Sequence, residues 1–337
     1  MSQVVRISSA FCSAEIIPLG AMLAPVEFNL GEKRVRPLAI APWADDAPSA
    51  LATIPPILRS LRGEWPCVPF GSAEPPPGLP DAWRDSAGKR PDWHQDSHGF
   101  GANNEWSLVE QSEHAAVLAI DYPSTHPIAR LTRHVSCDLG APRLRLRLTV
   151  EAREDVAMPV GLHPVFRLPA NVGGARLVLP PQTRCWSFPV AVEPGKTAAQ
   201  PDQRDVAPEH LLGRDGAAFD FRNLPLPGNS EDLLLLTKTG GQITLENHAE
   251  GYAASLNWDA GALPSCSLWL SNRGRGFYPW NSRFTAIGIE PVAAPFDLGP
   301  SWAEGDNPLH RAGVPTSVRL CRGQPWSIEY SIGCQAL

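Results

Sequence analysis

Long apolar runs are missing from this 337-residue chain, and no stretch approaches the ~18 apolar residues that a membrane-crossing helix requires. The N-terminus also lacks a basic region followed by an uninterrupted apolar segment, so no secretory leader is expected and a cytoplasmic location is the default expectation. Positive charge is not concentrated anywhere. The net charge is −6, and no basic stripe interleaved with aromatics is present, which disfavours nucleic acid as a partner. Seven cysteines (Cys12, Cys67, Cys137, Cys185, Cys266, Cys321 and Cys334) contain no Cys-x-x-Cys pair and are odd in number. That argues against a zinc ribbon and against a complete disulfide framework. Helical periodicity is scarce as well.

What is present is β character. Hydrophobic residues make up 43% and charged residues 19%, the balance of an ordinary globular protein, so the many prolines and glycines read as loop punctuation. Short β-rich runs recur along the chain between Gly, Pro, Asn and Asp. The clearest cover 115–120, 129–135, 143–150, 176–179, 233–237, 242–246, 253–258, 267–270, 284–289, 317–320 and 326–331. Arg143, Arg145 and Arg147 alternate with Leu144, Leu146 and Leu148, the pattern of a half-buried strand rather than of a basic patch. Asp138 to Pro142 and Thr239-Gly240-Gly241 supply hairpin turns. Strands at short spacing without intervening helices predict an all-β protein of antiparallel sheets packed as a sandwich. The one helical candidate, 49–61, is interrupted by Pro55-Pro56, and 66–93 reads as a long loop. Without a convincing boundary or repeat, residues 1–337 are expected to form one domain.

Two short motifs carry possible chemistry. Gly161-Leu162-His163-Pro164-Val165-Phe166 and Gly288-Ile289-Glu290-Pro291 each place a titratable side chain beside a proline, which disfavours helix for the preceding residue and removes a backbone donor. Glu290 ends a nearly continuous apolar run, where a carboxylate needs a partner or a purpose and desolvation raises its proton affinity. His163 beside apolar residues is equally compatible with a hydrogen-bonded core histidine. A third segment, Trp93 to Gly101, alternates His94, Asp96 and His98. On a strand these three would share a face and could ligate a metal, giving a metal-dependent enzyme as one alternative.

Arg62-Gly63-Glu64-Trp65-Pro66-Cys67-Val68-Pro69-Phe70-Gly71, His98-Gly99-Phe100, Asn104-Glu105-Trp106, His163-Pro164-Val165-Phe166 and Ile289-Glu290-Pro291 occur in one order. In that order they resemble the aldose 1-epimerase, or galactose mutarotase-like, family, and more closely its branch with glucose-6-phosphate 1-epimerase-like proteins. The resemblance spans about 62–297. It implies a large β-sandwich with an open sugar-binding groove, an isomerase without a cofactor or metal, and a small-molecule sugar as partner. It further implies His163 as the general acid and Glu290 as the general base, with Arg62, His98 and Asp232 as substrate-binding residues. Trp269 and Trp280 offer the apolar platform a sugar ring favours, or serve as core. The chain departs from the family where Val165 replaces a tyrosine, where Gly101-Ala102 stands in place of an arginine that reads phosphate, and where Glu64 adds negative charge near the expected site. These departures favour a free or unusual sugar over a phosphorylated one. A carbohydrate-binding protein without turnover is the other alternative. The sequence leaves monomer and homodimer equally open.

Overall fold

The structure, a computed structural model, describes residues 3–337. Two large antiparallel sheets dominate. One runs in the order Asn223–Leu224, Ala175–Val178, Gln242–Asn247, Tyr252–Trp258, Trp326–Ala336, Arg143–Ala152, Ile128–Cys137, Ala115–Asp121 and Ser107–Gln111. The other runs Arg184–Ser187, Ser230–Thr237, Ser265–Asn272, Thr285–Ala293, Val160–Leu162 and Pro66–Cys67, with Val165–Arg167 also paired to Thr285–Ala293. Every strand expected from the sequence is present, and the turn at Asp138 to Pro142 joins two paired strands as expected. The turn at Thr239-Gly240-Gly241 does not close the expected hairpin: it carries the chain from Ser230–Thr237 in one sheet to Gln242–Asn247 in the other. In Arg143–Ala152 the leucines are buried and the three arginines exposed, as strict alternation requires.

The second sheet is covered on both faces, and the period of two decides which residue meets which neighbour. Leu234, Leu236, Leu268, Leu270, Ile287 and Ile289 join Leu144, Leu146 and Leu148 of the first sheet in the larger core. Their sequence neighbours Leu235, Trp269 and Ala286 point the other way, into a smaller aromatic cluster with Trp43, Trp65, Phe70, Trp280 and Phe296. That outer face bears the groove.

The N-terminus adds an element not anticipated from the sequence. Val5–Ser8, Cys12–Ile16, Leu23–Asn29 and Arg34–Val35 form a four-stranded sheet. Val5–Ser8, Cys12–Ile16 and Arg34–Val35 are short, Leu23–Asn29 is interrupted by Pro25, and Arg6–Glu15, Arg34–Glu27 and Arg36–Glu27 pairs tie the polar residues of the outer face. The helical candidate splits into Pro48–Leu51 and Pro56–Arg59, on either side of the proline break. The segment 66–93, expected as a long loop, begins instead with the strand Pro66–Cys67, whose two residues are too few to show a pattern, and then contains one short helix, Asp81–Arg84. Among the described residues no helix is long and apolar enough to cross a membrane.

Candidate active site

Glu290 lies on Thr285–Ala293, a strand buried along nearly its whole length. The register that pairs Gly161 with Val292 and Val165 with Gly288 sets His163 opposite Glu290. Pro164 and Pro291 have no N–H to give at this point of the ladder, so the strands separate locally and the two side chains face each other. His163 Nε2 is 3.4 Å from Glu290 Oε1. Room for the carboxylate comes from Gly288, two residues earlier on the same face, where a Cβ would stand 2.2 Å from Glu290 Oε1. The imidazole is stacked on Trp65 with ring centroids 4.2 Å apart, and its backbone N–H donates to Trp65 O at 2.9 Å.

His98 meets His163 edge to face at 5.1 Å and Phe70 at 5.0 Å. It sits at the head of a single helical turn, Gly99–Asn103, with φ of 61°, and Gly99 after it has φ of 84° in contact with Val68 backbone. Its Nε2 is 3.7 Å from Asp297 Oδ1. All four groups line one cavity of about 400 Å³ together with Trp65, Phe70, Ser267, Trp269, Arg275 and Trp280. Glu290 Oε1, Asp297 Oδ1 and the Nδ1 atoms of His98 and His163 are buried without a hydrogen-bond partner. Native proteins rarely leave buried polar atoms unpaired, and two unpartnered carboxylate oxygens facing the histidines of one cavity mark a place for a ligand.

Burial governs the electrostatics here. Glu290 is held well above the usual carboxylate range, first by desolvation and then by the Asp297 charge, with Ser267 opposing. Desolvation, with His98 beside it, holds His163 well below the usual histidine range. The same cause brings His98 down to about 4 and lifts Asp297 to about 7, against the pull of Arg275. Low dielectric thus favours the neutral forms throughout.

His163, Glu290, His98, Trp269 and Trp280 are gathered in this cavity; the other two residues expected at the site are not. Arg62 stands beside cavity-lining Leu61, but its Nε–H donates to Ser60 O at 3.0 Å and its charge is balanced by Asp45 and Glu15. Asp232 shares the inner face of its strand with Leu234 and Leu236, and its Oδ1 accepts from the N–H groups of Ala198 and Ala199 at 2.9 and 2.8 Å. Its neighbour Glu231 is the acid on the groove side, accepting from Trp269 Nε1 at 2.7 Å and pairing with Arg275 at 3.3 Å. Glu64 adds no charge to the groove. Its carboxylate is fully buried between Arg133 and Tyr330.

The metal-site expectation required a strand at His94, Asp96 and His98, and the segment is instead a series of turns. His94 Nε2 contacts Ser72 O at 2.9 Å and lies outside the cavity that Asp96 and His98 line. Among the described residues no group of three or more His, Cys, Asp or Glu side chains converges as a metal would need. Sequence reasoning did not find Asp297, Arg275 or Glu231. The first two lie on irregular backbone with no periodic pattern to flag them.

The paired sheets and the groove on the outer face define a galactose mutarotase-like β-sandwich. A provisionally assigned aldose 1-epimerase from Escherichia coli K12 superposes with a TM-score of 0.66 over 99% of each chain, at 16% identity. The GalM/aldose epimerase homologue from C. elegans does so with a TM-score of 0.62 over 100% of each chain, at 14% identity. A provisionally assigned mutarotase from Salmonella typhimurium covers 99% of this chain and 90% of its own, with a TM-score of 0.61 and 11% identity. No protein-family model and no curated protein matches the chain by sequence.

Proposed function

We propose that the protein is an aldose 1-epimerase acting on a free sugar, with His163 and Glu290 as its acid–base pair. The observation that carries this reading is the 3.4 Å separation of His163 Nε2 and Glu290 Oε1, both facing an aromatic-walled cavity. In a cyclic aldose the ring oxygen and the anomeric hydroxyl are bonded to the same carbon. One acid and one base a few ångströms apart therefore serve both.

Ionised Glu290 takes the proton of the C1 hydroxyl while the His163 imidazolium gives its proton to the ring oxygen. The C1–ring-oxygen bond breaks and C1 becomes an aldehyde. Rotation about C1–C2 presents its other face, and neutral His163 and protonated Glu290 then reverse the transfers as the ring closes. The pair holds one proton before and after opening, so no proton crosses to solvent. Burial favours the neutral distribution, the one that accompanies the open chain. Trp65, Trp269 and Trp280 give the ring apolar walls. Arg275, the arginine of the cavity, is already paired with Glu231 and lies 4.7 Å over Trp280, which supports an unphosphorylated substrate.

Polarimetry or NMR on freshly dissolved pure anomers of hexoses and pentoses, phosphates included, tests this reading. Equilibration faster than buffer is expected for at least one free sugar; buffer rates across the panel would overturn it. Because the pair must hold one proton, kcat/KM is expected to be bell-shaped in pH. The alkaline limb marks loss of the pair's last proton and lies above the ordinary carboxylate range, since Glu290 is raised; the acid limb marks gain of a second and lies below the ordinary histidine range, since His163 is lowered.

A further inference from the structure

Asp297 has no part in a proton shuttle made only of His163 and Glu290, yet the backbone goes to some length to place it. It follows Phe296, whose φ of 53° is a left-handed conformation that an aromatic residue adopts only under strain. The Phe296 ring holds that turn by packing against Trp83 at 5.7 Å and Phe188 at 5.6 Å. One dipeptide ties Asp297 to His98. Ser72 N–H donates to Asp297 O at 2.9 Å, and Gly71 O accepts from His98 N–H at 2.8 Å. Their separation is therefore fixed by backbone, independently of the side chains.

The side chains repeat the arrangement of the first pair. His163 turns Nε2 toward Glu290 Oε1, and His98 turns Nε2 toward Asp297 Oδ1, with the two imidazoles edge to face. In both pairs the facing carboxylate oxygen is buried with no hydrogen-bond partner. We propose that Asp297 is a positioning residue of the proton-transfer site, paired with His98 so as to hold that imidazole and its proton in place against His163 and Glu290. The inference rests on the epimerase reading of the cavity. A neutral imidazole carries one N–H, and a carboxylate facing Nε2 favours the tautomer protonated there.

The charges around the group are few. Asp297 faces His98, Arg275 and Glu290; His98 faces His163 and Asp297, with His94 behind it. Glu290 faces His163, Asp297 and Ser267, with Cys67 and Cys266 behind it. Ionised Asp297 raises the proton affinity of Glu290, so its removal should move the alkaline limb of kcat/KM to lower pH.

Asp297→Asn keeps the shape and removes the charge. Expected are a fall in kcat/KM of about 10- to 100-fold, the range seen when the outer carboxylate of a ligating histidine is removed, a downward shift of the alkaline limb, and a changed His98 tautomer in long-range ¹H–¹⁵N spectra. Asp297→Glu should restore part of the limb position, which a purely structural role would not do. The tautomer spectrum needs no turnover, so it distinguishes the two readings. If the wild type accelerates no sugar but the His98 signal still answers to Asp297→Asn, the epimerase reading fails and the pairing stands. An active variant with unchanged kcat/KM, pH profile and His98 tautomer would overturn the role given to Asp297.

Discussion

Glu64 and Glu290 are both buried acids, and their surroundings could hardly differ more. Glu64 has both carboxylate oxygens engaged, one by the Arg133 guanidinium and the other by the Tyr330 hydroxyl at 2.8 Å, in a network that also reaches the carbonyl of Ala21. Glu290 faces a histidine that is itself buried, keeps one oxygen without a hydrogen-bond partner, and opens on a cavity. Both were singled out by sequence as acids near the expected site. Saturation separates them: a carboxylate with both oxygens answered braces the fold, while one with an oxygen left unanswered at a cavity wall waits for a ligand.

The sharpest way to break this comparison is to remove an unanswered group. His163→Asn should lower the anomerisation rate by about 10²- to 10⁴-fold, the contribution of a positioned acid, with the melting temperature little changed; a rate near wild type would take His163 out of its role. On the saturated side the effect should fall on stability instead. Arg133→Met leaves Glu64 buried without its partner and should cost about 3–5 kcal/mol in denaturant unfolding, while the rate per folded molecule stays the same. A smaller loss of stability is expected at Asp232, whose Oδ2 is buried without a partner but whose Oδ1 accepts two backbone hydrogen bonds that alanine forfeits. The loss should be about 1–3 kcal/mol of stability, with KM unchanged. A raised KM would place Asp232 at the sugar after all.

Alternation made most of the sheets legible. Leu144, Leu146 and Leu148 announced their strand because each is preceded by an arginine, and the strand lies as that pattern dictates. The N-terminal sheet escaped because Val5–Ser8 and Arg34–Val35 are short and Leu23–Asn29 carries a proline, Pro25, that argues against a strand. At the site, proline was the useful signal: Pro164 and Pro291 mark the point where two paired strands part, and His163 and Glu290 meet there. Asp232 and Glu231 show the limit of the same reasoning. Neighbours on a strand face opposite ways, so an assignment off by one residue exchanges the core for the groove. Asp297 and Arg275 gave no signal at all, since neither sits on a periodic element and their position is set by the turns that follow Ala293 and Asn272.

The central claim is that Glu290 is the base of an anomerising pair, and substitution of one atom tests it. Exchange between α and β anomers, measured by NMR at equilibrium for wild type and Glu290→Gln side by side, should be fast with the first and lower by about 10²- to 10⁴-fold with the second, at equal thermal stability. Equal exchange rates in the two proteins would contradict the account.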